Sequence, residues 1–240
     1  MDDTQRQIVQ HIEEQDCSVV CIEADEDTPP FCHTIGLFQR FRVPELIVIG
    51  LPHDTAFALL YKCRDICRAG DAFRPMHTYG GLLKDPFRIA CREVSRDHYQ
   101  CYFGHARWFY AGDEFPAVQA YWPDALKHYP WDERCDPEVA SVQPRLDRAW
   151  PFAGEPVTRR IWTLRDLVSG IRPVLRVVHE EDGEWQFLSD DPEINDEDVT
   201  LTTLGAALTL DPSLAKVAGL PKGWVAYRED PQAEWAAEPE

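Results

Sequence analysis

The chain has 240 residues, with 44% hydrophobic and 11% aromatic content, 13 Gly and 19 Pro, an ordinary globular composition with room for one large or two small domains. Its 42 acidic against 24 basic side chains give a net charge of −18, so a nucleic-acid backbone is repelled and a basic protein surface is attracted. No apolar run approaches the roughly 18 residues of a membrane span, and Met1 to Gln7 lack a basic start followed by an apolar stretch, so a cytoplasmic protein is expected.

Ile8, Val9 and Ile12 recur at helical spacing, predicting a short amphipathic helix. The period then changes to that of strands over Cys17–Ile22 and Phe31–Leu37, separated by the acidic turn Asp25-Glu26-Asp27-Thr28-Pro29-Pro30. Glu45–Gly50 is a β-branched strand, and Pro52-His53-Asp54 opens a helix whose Ala56, Leu59, Leu60, Cys63 and Cys67 share one face. A strand is predicted over Arg88–Val94, an aromatic-rich helical stretch over Asp97–Tyr110, and a buried strand over Pro116–Trp122. Pro130, Pro137, Pro144, Pro151 and Pro156 then give a linker-like composition, taken here as a linker over 133–158. Beyond it, one helix over Trp162–Ile171, a hairpin of Val174–His179 and Gly183–Leu188 around Glu181-Asp182-Gly183, a helix over Leu204–Leu210 and a final strand over Trp224–Arg228 are expected. The pattern predicts α+β architecture in two domains, 1–132 with a mixed or antiparallel sheet and packed helices, and 159–240 as a smaller α+β domain. From Arg159 onward 17 acidic residues face 8 basic ones, so the second domain carries about twice the charge density of the first.

Chemistry-bearing groups are plentiful but do not form a recognisable catalytic set. Cys17-x3-Cys21, Cys63-x3-Cys67 and His98-x6-His105 lack the knuckle spacing of structural zinc, so no metal or other cofactor is expected. All eight cysteines read as reduced, largely buried thiols. Cys32 and His33 are adjacent on a strand and point to opposite faces, which excludes them as a nucleophile–base pair. No nucleotide cradle or serine elbow is present. The aromatic set Trp108, Phe109, Tyr110, Phe115, Tyr121, Trp122 and Trp131 reads chiefly as core. In the second domain the acidic residues Glu181, Asp182, Glu184, Asp190, Asp191 and Glu193, with Trp185, Trp224 and Tyr227 as aromatic anchors, form a candidate docking surface for a basic cleft.

Phe31-Cys32-His33-Thr34-Ile35-Gly36-Leu37, Pro44 to Pro52, Ala106 to Gly112, Phe115 to Gln119 and Pro130-Trp131-Asp132 resemble the bacterial family of domain of unknown function 4262. Gly183 to Leu188, Leu210 to Leu214 and Leu220 to Arg228 resemble immunity protein family 33, also grouped as domain of unknown function 2185. The second resemblance implies a cytoplasmic, non-enzymatic bacterial immunity protein that binds a cognate toxin in a polymorphic toxin system of interbacterial competition and blocks its active site. The alternative expectation is a small-ligand binder or enzyme that uses the first domain's aromatic residues with His33, His98 or His105 as an acid/base group.

Overall fold

The computed structural model describes residues 1–189 and 196–240, which fall into two compact units, Met1–Trp150 and Pro151–Glu240. Each carries a six-stranded mixed sheet with helices, the α+β class. Among the described residues no helix is long and apolar enough to cross a membrane.

In the first unit, α1 (Asp3–Gln15) starts at a capping box between Asp2 and Gln5 and buries Ile8 and Ile12. β1 (Ser18–Ile22), β2 (Phe31–Ile35), α2 (Leu37–Phe41), β3 (Glu45–Ile49) and α3 (His53–Arg68) follow. They are succeeded by β4 (Thr78–Tyr79), β5 (Ile89–Glu93), α4 (Tyr99–Tyr102), α5 (Gly104–Tyr110), β6 (Ala117–Tyr121) and α6 (Pro137–Ser141). The sheet order is β1-β2-β3-β6-β5-β4, with β3 and β6 parallel and every other pair antiparallel. Strands β2, β3 and β6 are buried at every position. Their near-continuous apolar runs suit a sheet covered on both faces. Ala56, Leu59, Leu60, Cys63 and Cys67 of α3 pack with Cys32, Leu46, Val48, Cys91 and Val118 on one face. On the other, α5 packs on β2, and Phe103 lies 5.2 Å from the His33 ring. The expected helix over Asp97–Tyr110 is broken into short pieces around Phe103, whose φ of −125° leaves the helical region.

Two expectations for this unit are corrected. Residues 133–150 are not linker but part of the first unit. Gln143 exchanges hydrogen bonds with the Trp122 backbone at 3.0 Å in both directions, Ser95 N–H donates to the Leu146 carbonyl, and Leu146 and Trp150 are buried. Gly50 accommodates this segment: with φ +81°, a Cβ there would sit 2.6 Å from the Val142 carbonyl oxygen. Proline here rigidifies packed chain rather than marking flexibility. The second correction concerns the cysteines. Antiparallel pairing of β1 with β2 sets Cys21 directly opposite Cys32, and the two form a disulfide. The other six are thiols.

The second unit contains β7 (Arg160–Leu164), α7 (Arg165–Val168), β8 (Arg176–His179), β9 (Trp185–Leu188), β10 (Val199–Thr203), α8 (Leu204–Leu210), β11 (Trp224–Tyr227) and β12 (Ala236–Pro239). Its order is β10-β7-β9-β8-β11-β12, with β7 and β9 parallel. The helix expected over Trp162–Ile171 is a strand followed by one short helix. Ile161 and Thr163 point inward and Trp162 outward, a period of two that pairs with both β9 and β10. Residues 151–158, the other end of the expected linker, belong to this unit, where Phe152 meets Trp185 edge to face at 5.5 Å.

Strand register divides the second sheet's side chains into two sets. Ile161, Thr163, Val177, His179, Trp185 and Phe187 form the inner set, with Phe152 against Trp185. Leu201, Trp162, Gln186, Val178 and Val225 form a row on the opposite face, with Tyr227, Arg176 and Leu188 in the next row. Trp162, Leu201 and Tyr227 remain 40–42% exposed there, whereas Val178 and Val225 on the same face are 2% and 8% exposed, so this face is open in patches.

Candidate functional site

The β8–β9 turn places carboxylates beside that open face. Glu181, Asp182 and Glu184 are exposed, Asp182 accepts from the Glu184 N–H, and Glu184 accepts from the Trp162 indole N–H at 2.9 Å. Glu180 accepts from the Gln186 amide at 2.6 Å. Burial, together with the neighbouring carboxylates of Glu240, Asp182 and Glu184, pushes the Glu180 carboxyl above its ordinary range. Cations temper the cluster: Lys222 reaches the Asp182 carbonyl at 3.4 Å, Arg159 donates to the Gly183 carbonyl at 3.0 Å, and Arg176 stands 3.9 Å from Glu240. A surface that crowds carboxylates until one resists ionising gains free energy when a cationic partner arrives.

Of the expected aromatic anchors, Tyr227 is exposed on this face. Trp185 is not available as an anchor: it is 2% exposed and stacks on His179 with ring centroids 3.8 Å apart. Trp224 pairs with His179 and therefore lies with the inner set, away from Tyr227. The anchor that periodicity misassigned to a helix is Trp162. Asp190, Asp191 and Glu193 lie outside the described residues.

The first unit separates the three histidines of the alternative reading. His98 is buried, holds the Arg148 carbonyl through Nε2 at 3.0 Å and stacks on Trp150, a packing role at the end of the unit. His33 and His105 instead line one cavity, together with Cys101. Cys32 packs on the α3 side of the sheet, as the alternation of the strand requires. Burial raises the thiols of Cys17, Cys67 and Cys91 to about 12, which keeps them protonated and unreactive. The aromatic set disperses: Tyr110 and Phe115 join Tyr99 and Phe103 in the core, while Trp131 stacks on Tyr129 beneath the Arg92 guanidinium.

Glu45 and Arg228 are two of the buried charges that sequence reasoning passed over. Glu45, fully buried, accepts from Thr34 Oγ1 at 2.6 Å, Tyr110 OH at 2.5 Å, and the backbone N–H groups of Gly36 and Phe38. Burial pushes its carboxyl upward and these donors oppose that shift. Arg228, 5% exposed, donates to the carbonyls of Val174 and Pro231, to Ser213 Oγ and to Asp211 Oδ2 at 2.5 Å. Both are satisfied anchors within their own units rather than groups facing solvent.

Two α+β units, one with an enclosed sheet and the other with a partly exposed sheet beside an acidic turn, thus define the molecule. The chain belongs to the DUF4262 family, a domain of unknown function whose model matches residues 11–136, most of the first unit. No curated protein and no solved structure matches the chain.

Proposed function

We propose that this protein is a non-enzymatic binding protein of the immunity type, which docks the open acidic face of its second unit against the basic cleft of a toxin and blocks it. The observation that carries this reading is the carboxylate cluster of Glu180, Asp182, Glu184 and Glu240 set beside the exposed Trp162, Leu201 and Tyr227. Exposed aromatic and aliphatic side chains next to a carboxylate cluster suit a charge-steered interface. An enzyme that acts on an anionic substrate carries a basic cleft, and such a face competes for it. The likeness of Gly183–Leu188 and Leu220–Arg228 to immunity protein family 33 supports the same assignment.

Affinity capture with the full chain, run in parallel with a Glu180→Lys/Glu184→Lys variant, tests the proposal. Wild type retains one stoichiometric basic protein whose enzymatic activity it inhibits, and the variant loses at least about tenfold in affinity. Equal capture by the variant, or capture of a partner whose activity is unaffected, overturns it.

A further inference from the structure

The first unit holds a site of different chemistry. A cavity of about 260 Å³ opens between the β1–β2 hairpin and the α4–α5 segment, with Asp25, Thr28, Phe31, His33, Tyr102 and His105 among its walls. Its size falls below the roughly 300–1,000 Å³ of drug-sized pockets, so it suits a small molecule.

The lining includes groups that both donate and accept, such as the Thr28 hydroxyl and the Gln100 amide, and two that only accept, His33 Nε2 and the Asp25 carboxylate. His33 is 1% exposed, and its Nδ1 bonds the Thr34 carbonyl oxygen at 3.2 Å. A carbonyl only accepts, so Nδ1 carries the proton and Nε2 holds the lone pair. Nε2 has no hydrogen-bond partner among the described residues, nor is it sealed from solvent. Burial lowers the His33 pKa to about 4, which keeps the ring a neutral acceptor near pH 7. At the rim, Asp25 Oδ1 accepts from the N–H groups of Asp27 and Thr28, fixing the carboxylate in place. Its Oδ2 accepts no hydrogen bond from the described residues. The cavity is lined by no lysine or arginine. Phe31 and Tyr102 meet edge to face at 5.3 Å and give it an aromatic wall.

Two groups that only accept, one of them anionic, an aromatic wall and no lysine or arginine in the lining favour a positively charged donor as the complement. We infer that this cavity binds a small organic cation: a primary ammonium compound with an apolar or aromatic body, its N–H groups donating to His33 Nε2 and Asp25. The net charge of −18 raises the local concentration of such a cation, and the aromatic wall adds a cation–π contribution. An anionic ligand meets a carboxylate and a lone pair, and is disfavoured. This inference is independent of the toxin-binding proposal, because it involves the other unit.

Titration calorimetry at pH 7 with benzylamine, benzyl alcohol and benzoate, three probes of one shape and different charge, tests it on the full chain. Benzylamine is expected to bind, benzyl alcohol more weakly by about tenfold, and benzoate not at all. Asp25→Asn, an exposed loop change that leaves the fold intact, lowers benzylamine affinity about tenfold, and His33→Gln lowers it further, with urea unfolding reporting whether that buried variant remains folded. Absence of benzylamine binding at about 10 mM, equal or tighter binding of benzoate, or an affinity indifferent to Asp25→Asn overturns the inference.

Discussion

The two sheets have equal strand number and each contains one parallel pair, yet they are solvated differently. The first is enclosed by α3 on one face and α5 with its aromatic neighbours on the other, so β2, β3 and β6 are buried throughout. The second buries one face, and on the other it buries Val178 and Val225 but leaves Trp162, Leu201 and Tyr227 partly exposed. An enclosed sheet can offer solvent only a cavity at its margin, as at His33, whereas a one-sided sheet offers a surface. The two kinds of binding proposed here follow from that difference. So do the anchors: a carboxylate held by four donors in the first unit, and a guanidinium held by carbonyls and a carboxylate in the second.

The largest expected effects come from the anchors. Glu45→Ala strands its donors, and Arg228→Met removes the cation beside Asp211 and both side-chain donors to the Val174 carbonyl; each is expected to cost about 3–5 kcal/mol in urea unfolding. A loss near zero for either would show that it does not hold its unit. A tryptophan pair sharpens the contrast between faces. Trp185→Ala removes a buried ring and costs about 3–5 kcal/mol, whereas Trp162→Ala on the open face changes stability by less than about 1 kcal/mol. Comparable losses would mean that the second sheet is enclosed like the first.

Acid distinguishes the units next. The folded-state pKa of His33 is depressed to about 4 from an ordinary 6.5, so the folded state resists protonation. Its contribution is intact above about pH 6.5 and is lost as pH falls toward 4, on the order of 3 kcal/mol in all. His33→Gln therefore reduces the slope of stability over that window, leaving the part due to His98, whose pKa burial also lowers, and an unchanged slope would remove the His33 imidazole as a source. Reduction of Cys21–Cys32, which closes an 11-residue separation, is expected to cost the first unit about 2 kcal/mol, read as a lower urea midpoint in dithiothreitol.

The enclosed sheet was the more legible of the two from sequence. Glu45-Leu46-Ile47-Val48-Ile49 and the i, i+3, i+4 face of Ala56, Leu59, Leu60 and Cys63 are strong periodic signals, and both elements form where expected. Weak signals failed where tertiary pairing decides. Arg160–Leu164 and Val199–Thr203 are short, half-polar strands that gain their partners from each other. The spacing around Trp162 consequently reads as helical, and nothing in the composition marks Trp185 as buried. The prolines of 133–150 resembled a linker because composition does not reveal that Gln143 and Leu146 are packed. Cys21 and Cys32 needed the register of β1 and β2 before their pairing could be seen. The acidic turn was legible as charge, but Glu240 joins it only through the fold.

The central claim is that the open acidic face of the second unit is the docking surface. Carboxylate footprinting by carbodiimide labelling and mass spectrometry, with and without the captured partner, measures this directly. Labelling of Glu180, Glu184 and Glu240 is predicted to fall on binding while Asp25 and Glu133 in the first unit stay unchanged. Undiminished labelling of the three glutamates, with protection appearing in the first unit instead, would contradict it.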